Sequence, residues 1–444
     1  AELPDFFGVG TIVPSHHFVV IVEGIQQGDV HPVKALVFDP RNGFLLAHVA
    51  EGDFGHHGNF HSSSIASFLK RKSLRIWLKP AKTPSLWLSP IGVLSLSRKR
   101  GKTMITGFAN CLIDVAGVGF KRTSLSVYNG RISSIGTGKG IHLPDNLFLI
   151  PGLIDEHIHG SDGFDAMDGK VSSIQSIQRA LPQDGVTSFC PTTMTMEKES
   201  ILSALSSINA AMKDDAGTGS RILGAHLEGP FISPVFKGAQ EEKNIRVCDV
   251  DLMKEFVSVC PIKEVTFAYE EKGEDLLRYL KDKGVLASIG HSNCEPELLK
   301  KGIEEGIRCS THTFNAMRRF THRDVGIVGI VLLDQRVRCE LIGDLIHVCP
   351  DAIRLLYRMK GNEGIVLITD SMEAKHLPDG KYALGGQDVY VKDGAARLLD
   401  GTLAGSILTL NHAVRNVKNT LGVSLAEAVD FATKNPAKNL HLEG

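Results

Sequence analysis

The 444-residue sequence contains no C-x-x-C pair. Its eight cysteines, at 111, 190, 248, 260, 294, 309, 339 and 349, are scattered, several of them inside apolar strand-like runs. That excludes a disulfide framework and points to reduced, buried thiols in a cytosolic protein. No uncharged stretch is apolar enough for a transmembrane span, because Ser and Pro break the longest one. The formal net charge is only −1, so there is no chain-wide excess of positive charge to hold nucleic acid. No G-x-G-x-x-G follows a predicted strand, which argues against a doubly wound dinucleotide-binding sheet.

Other absences divide the chain. Residues 1–103 contain neither Cys nor Met, and the first Met is Met104. Both tryptophans, Trp77 and Trp87, lie in this segment. From Lys70 to Lys102 there are ten Lys or Arg and no acidic residue. Val19–Val22 and Ala35–Phe38 could form strands. His16, His17, His56, His57 and His61 are spaced irregularly, as loop-surface histidines are, although metal binding is an alternative. The basic stretch fits a solvated surface; a targeting segment or a nucleic-acid patch are alternatives. We read 1–103 as an extension of unknown role that need not be native to the folded unit, with the structured chain beginning near Met104.

From Met104 onward the pattern is regular. Gly107–Val115, Ser124–Tyr128 and Arg131–Ile135 are strand-like, and Asn129-Gly130 between the last two predicts a hairpin. They form a small β unit over 104–145. Then eight short apolar runs alternate with amphipathic segments: Leu147–Asp155, Val186–Cys190, Ile222–Leu227, Val265–Ala268, Val285–Ile289, Ile307–Thr311, Cys339–Ile342 and Ile365–Thr369. Ile201, Leu205, Ile208 and Met212 share one helical face, and Leu410, Val414, Val417 and Leu421 another. Eight strand–helix repeats predict an α/β fold, a (β/α)8 TIM-type barrel with a small β domain formed around it. Ser424-Leu-Ala-Glu427 is a capping box opening a last helix.

In such barrels the chemistry sits at the carboxyl ends of the strands. Those ends carry His157 and His159, Glu228 after His226, His291, His312 and Asp370. His157 and His159 are two apart on a strand and face the same side. Each residue alone has a bland explanation: a hydrogen-bonded core histidine, or Asp370 as a helix or turn cap. Their joint placement at five of eight strand ends predicts a divalent-metal site. Three protein ligands would leave a position open for water, with Asp370 as general base, and hydrolysis of an amide or other C–N bond is the natural reaction class.

Pro151-Gly-Leu-Ile-Asp-Glu-His-Ile-His-Gly160 resembles the first-strand motif of the amidohydrolase superfamily. The blocks His226-Leu-Glu-Gly-Pro-Phe231, Gly290-His-Ser292, Thr311-His-Thr-Phe-Asn-Ala-Met317, Gly343-Asp-Leu-Ile-His347, Thr369-Asp370 and Leu403-Ala-Gly-Ser406 are similar to those of the N-acetylglucosamine-6-phosphate deacetylase family. The resemblance runs from about Met104 to Gly444. It implies removal of acetate from N-acetyl-D-glucosamine 6-phosphate in amino-sugar catabolism, by a cytoplasmic homodimer that binds neither nucleic acid nor membrane. It also implies one or two divalent metal ions, Zn first, with Fe, Mn or Co as alternatives. Glu228, His291 and His312 would hold the main ion, His157 and His159 a second, and Asp370 would be the catalytic acid/base. Ala239, Gln240, Asn315, Ala316, Arg323, Asp344, His347, Leu403, Ala404 and Gly405 would contact the sugar phosphate.

The resemblance further implies a barrel over 146–374, a return to the small β domain over 375–402, and the last barrel helix and C-terminal helix over 403–444. Three departures stand out. Gly238-Ala239-Gln240 replaces a family Gly-Ala-His or Gly-Thr-His. Leu345 replaces a glycine in Asp-Gly-x-His. The chain stops where the family continues with a Gly-rich segment, so strands of the small β domain are expected to be missing. Two other readings remain: a different amidohydrolase, although Phe267-Ala-Tyr-Glu-Glu271 offers no lysine at the end of strand four, and a barrel scaffold without metal.

Overall fold

In the computed structural model the described residues are 147–214 and 219–442 without interruption, with 105–115, 119–128, 131–136, 138 and 140, and four strands nearer the amino terminus. The histidines His16, His17, His56, His57 and His61 lie outside the described residues, as does the basic run Lys70–Lys102 apart from the strand Gly92–Ser95. Two compact units are present.

One unit, His16–Gly152 with Pro182–Gly185, is built on an eight-stranded sheet. Ile105–Val115, Gly119–Tyr128 and Arg131–Ile135 form an antiparallel meander. Tyr128 pairs with Arg131, which is the hairpin predicted at Asn129-Gly130. Phe108, Cys111, Ile113, Leu125, Val127 and Leu149 form its core. The register slips between Phe108 and Cys111, where Asn110 takes φ 55°, a bulge conformation that asparagine tolerates. Leu147–Pro151 joins this sheet rather than the barrel. The apolar run Leu147–Asp155 therefore divides at Gly152, and the barrel begins at Leu153 rather than at 146. The sheet also extends before Met104. Val19–Glu23 pairs antiparallel with Leu147–Pro151, followed outward by Ala35–Asp39, Phe44–Ala47 and Gly92–Ser95. Segment 1–103 thus supplies four strands and is not merely appended to a domain that starts at Met104.

The other unit, Leu153–Leu181 and Val186–Gly444, contains the barrel. Its strands are β1 (Leu153–Ile158), β2 (Val186–Thr193), β3 (Ala225–Glu228), β4 (Ile262–Phe267), β5 (Leu286–Ile289), β6 (Cys309–Ser310), β7 (Arg338–Ile342) and β8 (Ile365–Ile368). Each pairs in parallel with the next. A helix follows every strand, from Val171–Ala180 after β1 to Leu410–Leu421 after β8. The helix Lys198–Lys213 buries Ile201, Leu205 and Ile208, as its spacing predicts. Ser424 and Glu427 form the expected capping box.

β1 and β8 close the ring without a regular ladder. Near their carboxyl ends, Asp370 N donates to His157 O at 2.9 Å, and His159 N and Gly160 N both donate to Ser371 O at 2.9 Å. Near their amino ends, Ile154 N donates to Ala432 O and Leu367 N to Phe431 O, each at 2.8 Å. Residues from the C-terminal segment therefore fill the gap that the strands leave below.

Segment 375–402 does not return to the first sheet. Gly380–Leu384, Gln387–Lys392 and Ala395–Arg397 make a separate three-stranded antiparallel sheet in the barrel unit. Val389, Val391, Leu384 and Ala396 pack with Met194 and Met372, so its apolar face has a local partner.

Candidate metal centre and active site

Every side chain of the predicted centre comes from the carboxyl end of a barrel strand. His157 lies on β1 and His159 just past it; Glu228 is the last residue of β3. His291, His312 and Asp370 each stand two residues beyond β5, β6 and β8. All three take positive φ, of 47°, 30° and 48°. The chain is bent sharply at these points, in a conformation non-glycine residues seldom adopt, and this turns the side chains over the barrel mouth. Gly290 makes the approach to His291 possible: a Cβ there would lie 2.6 Å from Thr311 Cβ.

The side chains converge. Glu228 Oε1 lies 3.1 Å from His291 Nε2 and 3.1 Å from His312 Nε2, and those two nitrogens are 3.1 Å apart. Glu228 Oε2 lies 3.4 Å from His159 Nε2. Asp370 Oδ1 is 3.2 Å from His159 Nε2 and 3.5 Å from His157 Nε2. Two three-residue groups result at the mouth, Glu228–His291–His312 and His157–His159–Asp370, and His157 also meets His226 and Glu340 in a third, all buried. Donors bound at 2.0–2.1 Å around a tetrahedral ion sit about 3.3–3.4 Å apart, close to these spacings.

The outer partners fix which nitrogen faces inward. His291 Nδ1 is 2.9 Å from Phe236 O, and His159 Nδ1 is 3.2 Å from Thr192 O. A carbonyl oxygen only accepts, so each Nδ1 carries the hydrogen and each Nε2 presents a lone pair. Those lone pairs point at carboxylate oxygens. His157 Nε2, fully buried, has no hydrogen-bond partner among the described residues. Lone pairs and carboxylates facing one another out of water require positive charge between them, from protons or from a metal ion. The donor set fits a divalent ion of the zinc type.

The electrostatics agree. Burial pushes the His157 imidazole down, yet Glu340 and Asp370 outweigh it and hold the group at about 9. Burial likewise opposes charge on His159, but Asp370 and Glu228 lift it well above the usual range. Burial raises Asp370, and His157, His159 and His312 overcome that and bring it to about 2. Glu228 is held well below the carboxylate range by the histidines around it, against its own burial. Asp370 is the member most open to solvent, its side chain 12% exposed against 0–6% for the others.

Of the other predicted residues, Gln240 enters the centre directly. Its Nε2 donates to Glu228 Oε2 at 2.8 Å, while Thr195 N donates to its Oε1 at 2.8 Å. It thus braces a candidate metal ligand against a backbone amide. Ala239 O accepts from Gln387 Nε2, which ties this loop to the three-stranded sheet. A Cβ on Gly238 would lie 3.2 Å from His291 Cε1 and 3.6 Å from Ala316 Cβ, so Ala316 is beside the centre. Asn315 Nδ2 donates to His312 O. Asp344 Oδ2 is 2.6 Å from His347 Nδ1, and its Oδ1 accepts from Ile346 N and His347 N, while Leu345 is exposed at φ 68°. Leu403, Ala404 and Gly405 lead to Ser406, whose N donates to Asp370 O at 2.7 Å. Arg323 is exposed on the loop before helix Gly326–Leu333, its backbone N–H on Thr321 Oγ1.

His226 does not join the ligand set. Its Nδ1 meets Glu156 O and its Nε2 meets Thr266 Oγ1 at 2.7 Å, so both nitrogens are satisfied within the barrel. Glu340 is a functional candidate that sequence reasoning misses, although it touches His157 and His312. The available signal is a carboxylate inside the otherwise apolar run Cys339–Ile342.

Residues 148–444 match the model of the Amidohydrolase family. N-acetylglucosamine-6-phosphate deacetylase of Bacillus subtilis (strain 168) is 40% identical over 334 residues, 72% of this chain and 84% of that protein. N-acetylgalactosamine-6-phosphate deacetylase of Escherichia coli O157:H7 is 36% identical over 68% of this chain and 80% of that protein. The crystal structure of N-acetylglucosamine-6-phosphate deacetylase from Thermotoga maritima superposes with a TM-score of 0.70 at 35% identity, over 76% of this chain and 90% of that one. With a closed parallel barrel, a histidine–carboxylate centre at its mouth and these relatives, the chain belongs to the amidohydrolase family and, within it, to the N-acetylglucosamine-6-phosphate deacetylase family.

Proposed function

We propose that this chain hydrolyses the acetamido group of N-acetyl-D-glucosamine 6-phosphate, giving acetate and D-glucosamine 6-phosphate. One observation carries the reading: two ligand groups meet at Glu228 in the barrel mouth, and Asp370, the most exposed member, stands beside them. Glu228, His291 and His312 hold one divalent ion, and His157 and His159 belong to a second, with Zn²⁺ as the best match to the nitrogen-rich set. Such an ion, when bound, supplies Lewis acidity and lowers the pKa of water to about 7.

The chain's own groups do the rest. Asp370 Oδ1 takes a proton from the attacking water and returns it to the departing amine. The imidazoles around it keep it ionised in the metal-free protein, the form that a proton acceptor must have. Ala316, at the turn after β6, offers its backbone N–H to the sugar phosphate, the N–H of Asn315 being held by His312 O, and Arg323 adds a fixed positive charge. Ala239, Asp344, His347, Leu403, Ala404 and Gly405 complete the sugar pocket. Gln240 serves it through Glu228. We further read the protein as a cytoplasmic homodimer. Seven of the eight cysteines are buried or half-buried and all are free, as expected in a reducing compartment.

The test is acetate release from N-acetylglucosamine 6-phosphate, before and after chelation and with Zn²⁺, Fe²⁺, Mn²⁺ or Co²⁺ restored. N-acetylgalactosamine 6-phosphate is the parallel substrate, because one relative carries that activity in its name. Preference for the galacto epimer would replace the substrate assignment. Release that survives complete metal removal would overturn the mechanism.

A further inference from the structure

Glu340 lies on β7, fully buried, and is not one of the groups at the barrel mouth. One of its oxygens, Oε2, accepts two hydrogen bonds. His157 Nδ1 donates to it at 3.1 Å and the backbone N of His312 at 3.0 Å. These donors belong to different ligand groups: His157 to the one containing His159 and Asp370, His312 to the one containing Glu228 and His291. The backbone of the same residue makes a further link, since Thr313 N donates to Glu340 O at 2.9 Å.

We propose that Glu340 is a positioning residue that ties the two ligand groups together. The bond to His157 Nδ1 places the hydrogen on the outer nitrogen and leaves the Nε2 lone pair aimed at the centre. The bond to His312 N, with the Thr313 bond, holds the turn at φ 30° that swings the His312 ring over the barrel. A carboxylate is suited to this because it accepts two donors on one oxygen, and its charge strengthens both bonds and the basicity of the ligating imidazole. The inference rests on the metal centre proposed above.

The other oxygen, Oε1, has no hydrogen-bond partner among the described residues, and Glu340 shares a buried group with Glu156, Glu264 and Cys309. This matters for the test. Glu340→Gln keeps the size and one acceptor oxygen, and its new amide hydrogens can turn toward Glu156 and Glu264. The variant is therefore expected to fold, with a melting temperature in the metal-free state no lower than that of the parent.

Metal titration by competition with a chromophoric chelator then reads the tie. Glu340→Gln is expected to weaken metal binding ~10- to 100-fold and to change the visible spectrum of the Co²⁺-loaded protein. Glu264→Gln is the control: it neutralises a carboxylate of the same buried group that bonds to neither histidine, and is expected to leave metal affinity within about threefold of the parent. Parent-like affinity and spectrum in Glu340→Gln would overturn the proposal. So would an equal loss in Glu264→Gln, which would assign the effect to the buried charge as a whole. If the parent protein itself takes up no metal, the metal reading fails instead, and the two failures are distinct.

Discussion

Asp370 combines three properties: a carboxyl held at about 2, two imidazoles within 3.5 Å, and a side chain partly open to solvent. Asp370→Asn keeps the shape and removes the proposed base. Turnover should fall by about 10²- to 10⁴-fold while the ion proposed at Glu228, His291 and His312 stays bound in the purified protein. Gln240 is a sharper case, because it stands where the resemblance expects a histidine and its amide rests on Glu228. Gln240→Ala should weaken metal binding by roughly tenfold or more, measured by the same chelator competition. An unchanged metal affinity with a raised KM would show that Gln240 touches substrate instead. Arg323 is exposed on its loop and is not among the groups that converge at the centre. Arg323→Ala should therefore depress hydrolysis of the 6-phosphate far more than that of unphosphorylated N-acetylglucosamine, and an equal loss on both would remove it from phosphate recognition.

At the scale of strands and turns, the site is legible where polarity changes abruptly. The apolar runs give way to polar residues at their carboxyl ends, and His157, His159, Glu228, His291, His312 and Asp370 stand at those breaks. Glu340 and Glu264 show in the sequence only as carboxylates inside strands, with no sign of what they face. A carboxylate within a strand looks the same in sequence whether it faces water or a barrel interior, and only the closed ring shows that both are buried. The strand Leu147–Pro151 reads as one with β1 because both are apolar; Gly152 separates them. The course of 375–402 is hidden in the sequence because Met194 and Met372, the first of them distant along the chain, supply the surface its sheet needs. Turn geometry carries a prediction of its own. Gly290 has Thr311 Cβ 2.6 Å and Thr266 Cγ2 2.8 Å from where a methyl group would sit. Gly290→Ala should cost about 1–3 kcal/mol in thermal or denaturant unfolding and should displace His291, lowering metal affinity as well.

For the molecule as a whole, metal uptake and proton release are linked. A ligating imidazole must give up the proton on its inward nitrogen. In the metal-free protein His157 sits at about 9, so it is protonated across the neutral range. Apparent metal affinity should therefore rise with pH up to about 9 and fall steeply on acidification, with protons released on binding near neutral pH. Calorimetry in buffers of different ionisation enthalpy measures that release directly. An affinity independent of pH through the neutral range would show that His157 is not a ligand.

The ring of strands is not sealed evenly. Between β1 and β8 its lower part is bridged by Phe431 and Ala432, and its upper part by the amides of Asp370, His159 and Gly160. Two of the upper stitches belong to the same residues that are proposed to do the chemistry. Any fluctuation that parts the first strand from the eighth therefore pulls the proposed base away from the imidazoles it faces, before a single barrel helix has unwound. Heat or mild denaturant should silence such an enzyme while most of its secondary structure persists. The exchange rates of those three amides would report how close the resting protein already is to coming apart at that joint.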